Sequence, residues 1–438
     1  MTEPHTTTTS APVRPRLITP DVARGLTLLS IAVANVTTAW AMAGDVPAGR
    51  YGGIVDGSMA DTVAVFLGCI FTHVRGLAMF SLLLGYGLGM LCDSLQRRSY
   101  PVDAARWVLL RRYGLLALFG AVHCVALFWG DIMLFYGLAG MLLTAMITLR
   151  TKVLWWIAGV MFLLSGLLTV PAAGLFFQSD TANQAADTYL QQVVLGLGVI
   201  LMQAFMLPVE LLALFPLMLV GVIASRYRIL DNPAAYTKVL VPVASAGGVL
   251  ALVLGVLMAA GSAGLLPVND TLVESVNQWL GVLTGPAILA AIALACIPLQ
   301  RRITAAAARG EHATMAWPVQ MLVALGRRSM SGYIAQSLLF TVLVAPYGLY
   351  LGVREGAFEG SVMGVIVWLI TLVAAFLLDR AGLPGPCEAL HRRWSYGKQG
   401  LPKDYFLRQV DNGHPIPYPE AARRNLVDAQ GRPLVPVY

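Results

Sequence analysis

Charge is scarce in this chain. Only 12% of its 438 residues are Asp, Glu, Lys or Arg, against about 25% in soluble domains. With 57% hydrophobic residues and a mean hydropathy of +0.71, a water-soluble globule is excluded. Cysteine is equally sparse. Cys69, Cys92, Cys124, Cys296 and Cys387 show neither CxxC nor metal-ligand spacing. Four of the five lie in apolar segments, where Cys serves as a small packing residue, so no disulfide framework is implied. The six His are scattered, which leaves a metal site without support. There is no P-loop, GxSxG, HExxH or dinucleotide fingerprint in a strand–helix setting. Residues 1–20 are Thr- and Pro-rich and lack the pattern of a cleaved signal peptide.

What the chain does have is long apolar runs. A spanning helix needs about 20 such residues. Ten segments qualify, at 22–43, 60–92, 106–128, 131–149, 153–177, 190–225, 239–263, 277–299, 329–351 and 361–380. The expected fold is therefore all-α, a polytopic membrane helix bundle. The second and sixth segments exceed one straight crossing and are expected to break or tilt, with the polar His73–Gly76 stretch and Pro208 as the break points on offer. Loop charges alternate. Arg14, Arg16, Arg97, Arg98, Arg106, Arg150, Lys152, Arg226, Arg228, Lys238, Arg301, Arg302, Arg327 and Arg328 fall on one side, with Arg380, Arg392, Arg393 and Lys398 of the tail. The intervening loops carry Arg50 and Arg354 against eight carboxylates. By the positive-inside rule both termini are cytoplasmic. The net charge of +7 thus marks a membrane surface rather than a nucleic-acid partner. Four regions are expected: an N-terminal segment (1–20), a membrane bundle carrying the polar site (21–230), C-terminal membrane helices (231–382) and a Pro-rich cytoplasmic tail (383–438).

An ionised side chain at the centre of a spanning helix costs roughly 2.5–3.5 kcal/mol on insertion scales, so it needs a buried partner, a water-filled cavity or a ligand. The stretch from Arg111 to Tyr136, RRYGLLALFGAVHCVALFWGDIMLFY, concentrates such groups. Arg112 and His123 are eleven residues apart, close to three turns and about 16 Å, and so share a face. Arg24 and Asn35 repeat that spacing in the first segment. Asp131 follows His123 across a Trp-Gly-Asp turn, where the chain folds back. A carboxylate on one imidazole nitrogen fixes the tautomer and raises the basicity of the other, as in a general base. The alternative is a satisfied core histidine. His73 and Arg75 fall near mid-membrane, and Arg75 either pairs with Asp61, Asp131 or Glu210 or lines a site. Ser81, Gly85, Gly87 and Gly89 read as close helix packing. Gln203, Glu210, Ser331, Tyr333 and Gln336 add hydrogen-bonding groups, each alone an interhelical contact. Together these side chains predict a shared pocket joining the two faces of the bilayer.

Five blocks, in order, resemble the YeiB-type family, bacterial multi-pass membrane proteins of unknown function. They are PDVARGLTLLSIAVANV, RGLAMFSLLLGYGLGM, RRYGLLALFGAVHCVALFWGDIMLFYGLAG, LLALFPLMLVGVIASRYRIL, and LGRRSMSGYIAQSLLFTVL with GLPGPCEALHRRWSYGK. The resemblance covers residues 17–400 and implies the bacterial cytoplasmic membrane. It also implies kinship with transmembrane acyltransferases of the heparan-glucosaminide N-acetyltransferase and acyltransferase-three types. Those enzymes use cytoplasmic acyl-CoA to modify a glycan or lipid across the membrane. The acyltransferase-three pattern is an Arg, ten residues, then a His. Arg24 matches, but Asn35 stands at the His position, and an amide is no base. The glucosaminide type places its His after the first helix, where residues 44–58 contain none. A base must then come from His123 or His73.

Two functions follow. In acyl transfer, Arg24, Arg111 and Arg112 hold the phosphates of acyl-CoA, the donor substrate, because the guanidinium fork suits phosphate. His123, oriented by Asp131, deprotonates a hydroxyl of a cell-envelope glycan or lipid. Asn35, Arg75, Glu210 and Gln336 surround the substrate, with Asn35 or Arg75 on the oxyanion. In transport, Arg75, Asp131 and Glu210 line a charged path, although no inverted repeat is visible. A structural or assembly factor without chemistry is a third possibility.

Overall fold

The computed structural model describes residues 17–40, 50–170, 186–311, 313–351, 356–402 and 405. Among them are fourteen α-helices and no β-strand. Seven helical runs are long and apolar enough to cross a membrane, so the protein is an all-α multi-pass bundle. Helix α1 (Thr19–Asn35) continues into a π turn at Val36–Trp40. Helices α2 (Met59–Phe71) and α3 (Arg75–Arg97) come from one apolar segment that breaks between them, where the polar stretch predicted it. Val74 turns the chain there with φ +69°.

The break frees carbonyls at membrane depth, where no water satisfies them. Side chains do so instead. Ser30 Oγ of α1 donates to Phe71 O (3.4 Å) and Thr72 O (3.3 Å). Arg75 donates through Nε to Ile70 O (3.4 Å) and through Nη2 to Cys69 O (3.2 Å).

Helix α4 (Val102–Ala126) and helix α5 (Met133–Ala145) form a hairpin, followed by α6 (Thr151–Thr169). Helix α7 (Tyr189–Arg226) decides against a break at Pro208, because it runs through Pro208 and Pro216 without interruption. A proline removes one hydrogen bond, but the flanking backbone groups have no other partner in lipid and keep the helix. At about 57 Å α7 exceeds a hydrocarbon core of about 30 Å and must tilt or project beyond it.

Helix α8 (Thr237–Ser262) precedes α9 (Asp270–Leu280), a 3-10 turn and α10 (Thr284–Ala308). The expected segment 277–299 therefore straddles two helices. Helix α11 (Trp317–Arg327) leads through Arg328 into the short apolar α12 (Ser329–Leu343), then α13 (Ala357–Arg380). Helix α14 (Pro386–Tyr396) lies in the polar tail, packed under α4.

Glycines set how closely these helices approach. A Cβ on Gly85 of α3 would strike the Met218 backbone, and one on Gly221 of α7 the backbone around Leu82. In the α4–α5 hairpin, Gly120 lies on the Leu134 backbone and Gly137 on that of Ala117. This contact brings the end of α4 against the start of α5.

Candidate functional site

His123 occupies the last turn of α4, and its carbonyl receives the Leu127 and Phe128 amides as the helix ends. Asp131 lies in the following turn. One carboxylate oxygen accepts the Leu134 amide at 2.7 Å, anchoring the start of α5. The other is 2.7 Å from His123 Nδ1. The second ring nitrogen, Nε2, is 2.9 Å from Ser337 Oγ on α12. The His123 and Asp131 side chains are 2% and 0% exposed. An ionised Asp131 takes a proton on Nδ1 as donor, which leaves Nε2 to accept the Ser337 hydroxyl. That bond is shorter than the 3.5 Å contact from Ser337 Oγ to Tyr333 O. The Tyr333 ring lies 5.0 Å from the imidazole.

A cavity of about 400 Å³ reaches toward this group from the arginine-rich ends of the helices. At its mouth stand Asp21, Arg24, Arg112, Arg327, Glu388 and His391. Deeper, Leu28, Ile31, Leu83, Leu116 and Met133 make an apolar throat that ends at Tyr136, Ile132 and Tyr333. Arg24 Nη1 is 3.6 Å from Asp21. Arg112 donates to the Tyr396 hydroxyl at 2.6 Å, its guanidinium 5.7 Å from the centre of that ring. Glu388 accepts from the Met330 and Ser331 amides (2.7 and 3.1 Å) and so fastens α12 to α14. A second hollow of about 700 Å³, lined by Arg327, Arg328, Arg392, Arg393, Lys398 and Glu388 among others, adjoins the mouth through Arg327 and Glu388. His391 donates through Nε2 to Arg112 O at 2.8 Å. Burial, then the nearby Arg112 charge, pushes its pKa down from 6.5 to about 4.

The expected shared pocket is only partly present. Arg24 and Arg112 line it, and His123 and Asp131 lie just behind its inner wall. Arg111 does not, since it is exposed on another face of α4. Successive helix residues diverge by about 100°. His73 sits in the α2–α3 break with its ring 4.5 Å from that of Tyr51, outside the cavity. Asn35 ends α1, also outside it.

The expected carboxylate partner of Arg75 is a correction. Its Nη1 binds Asn277 Oδ1 at 2.5 Å, and its other donors serve carbonyls. Asp61 accepts the Val55 and Phe358 amides at 3.1 and 2.8 Å, Asp131 holds His123, and Glu210 accepts from Gln203 at 2.5 Å on its own helix. The charged transport path through Arg75, Asp131 and Glu210 is thereby divided into three separate contacts. Gln336 bonds Leu28 O and Thr371 Oγ1 at 3.4 and 3.5 Å, and its Oε1 is buried without a partner among the described residues. Sequence reasoning missed Ser337, Arg327, Glu388, His391 and Tyr396. Two signals were available: Tyr333 and Ser337 are four residues apart, on one helical face, and the tail block CEALHRRWSYGK has helical polar spacing.

The fold and site define a class: a multi-pass helical membrane protein with a buried Asp–His–Ser cluster behind a cation-lined cavity. Residues 224–398 match the family model described as Protein of unknown function (DUF418). A search of curated proteins finds no match.

Proposed function

We propose that this protein is a membrane-embedded acyltransferase of the bacterial cytoplasmic membrane, with both termini cytoplasmic. It moves an acyl group from cytoplasmic acyl-CoA to a hydroxyl of an envelope glycan or lipid. The observation that supports this reading is the cavity itself, cationic at the mouth and apolar in the throat, ending beside an oriented histidine. Acyl-CoA has that polarity. Arg24, Arg112 and Arg327 face its phosphates, and the Leu28–Leu83–Leu116 throat takes the pantetheine arm and acyl chain. Asp131 fixes the His123 tautomer so that Nε2 is the base.

The test is acyl-CoA binding and turnover by purified protein in lipid nanodiscs. Arg112→Ala is expected to weaken binding about 10-fold, the loss of roughly one charge-assisted hydrogen bond. His123→Ala is expected to bind as before but to transfer at least about 100-fold more slowly. A wild-type protein that neither binds nor consumes acyl-CoA sinks the proposal.

A further inference from the structure

Both nitrogens of His123 are engaged, Nδ1 by Asp131 and Nε2 by Ser337. The hydroxyl that His123 is placed to deprotonate is therefore the protein's own. The three groups come from the end of α4, the α4–α5 turn and α12, with His123 and Ser337 214 positions apart in sequence. Such an acid–base–nucleophile line is recognised by geometry rather than by sequence order.

We propose that Ser337 is a nucleophile that carries the acyl group covalently between donor and acceptor. The proposal rests on the acyl-transfer reading of the cavity and adds an acyl-enzyme to it. Ser337 Oγ attacks the thioester carbonyl carbon and its proton passes to His123 Nε2. The C–S bond breaks, and His123 returns the proton to the departing thiolate. An acceptor hydroxyl then attacks the Ser337 ester, giving its proton to His123, and Ser337 Oγ regains it as the ester bond breaks. No oxidant or further reactant is needed. Tyr333 stands one turn from Ser337 on the same helical face and closes the inner end of the cavity. Its ring lies 5.0 Å from the His123 imidazole, so the way from the throat to Ser337 Oγ passes this side chain.

The experiment incubates the full chain in nanodiscs with radiolabelled acetyl-CoA or octanoyl-CoA and no acceptor, then weighs the peptide that carries Ser337. A parallel arm uses a fluorophosphonate, which labels activated serines without any CoA. Expected are an acyl adduct on Ser337 and fluorophosphonate labelling of the same residue. Both should fall at least 100-fold in Ser337→Ala and His123→Gln, with thermal unfolding midpoints confirming that the variants fold. Ser337→Cys should form an adduct released by neutral hydroxylamine, whereas the wild-type ester resists it. Release of CoA from the labelled donor by Ser337→Ala at the wild-type rate overturns the nucleophile and leaves His123 acting directly. Fluorophosphonate on Ser337 without any use of acyl-CoA overturns the donor reading and upholds the activated serine. A folded wild type that carries neither label overturns this inference.

Discussion

His391 shows how one side chain ties the tail helix to the membrane bundle. It is buried against α4 and donates to Arg112 O, 279 residues away in sequence. Its folded pKa of about 4 lies below the ordinary 6.5, so the neutral form is the one that docks. The stabilisation is whole above pH 6.5 and is lost as pH falls from 6.5 through 4. Amide-exchange protection factors in residues 386–396 are expected to fall across that window, and His391→Gln to flatten the dependence. Arg75 makes a different case. A cation with no carboxylate partner among the described residues persists because carbonyls freed by a helix break need its donors. Each buried acceptor left bare costs about 1–3 kcal/mol. Arg75→Ala should therefore lower the unfolding midpoint sharply, and by more than Arg24→Ala, whose guanidinium keeps 27% exposure beside Asp21.

At the scale of elements, the α4–α5 hairpin does the positioning. Gly120 and Gly137 let the two backbones touch, and that contact holds Asp131 at 2.7 Å from His123. A large side chain at either glycine must part the helices. Gly137→Leu is expected to lower acyl transfer at least as much as Asp131→Ala. Acyl-CoA binding at the Arg24–Arg112 mouth should fall far less, which a KM-against-kcat comparison will show. The α2–α3 break was legible because polar residues and a glycine interrupt an apolar run too long for one crossing. The continuity of α7 was not, since Pro208 gives the same local signal whether neighbouring bonds survive or fail.

For the whole molecule, Arg24, Arg112 and Arg327 line one cavity, so sidedness decides from which compartment a ligand enters. If that arginine-lined end is cytoplasmic, as proposed, Leu266→Cys, between α8 and α9, should react with a membrane-impermeant maleimide added outside intact cells. Glu311→Cys, between α10 and α11, should react only after permeabilisation. The opposite pattern would place the cavity mouth outside and remove cytoplasmic acyl-CoA as its ligand.

The sequence by itself determined the all-α membrane architecture, the helix break at His73–Gly76 and the pairing of His123 with Asp131. These depend on apolar length, local polarity and a turn that returns Asp131 eight positions after His123, all local properties of the chain. Only the tertiary structure decided that Arg75 is tied off by Asn277 and freed carbonyls, that Ser337 and Tyr333 meet His123, and that His391 meets Arg112. Those outcomes depend on which helices become neighbours, and that choice is made by glycine contacts and buried hydrogen bonds between residues hundreds of positions apart.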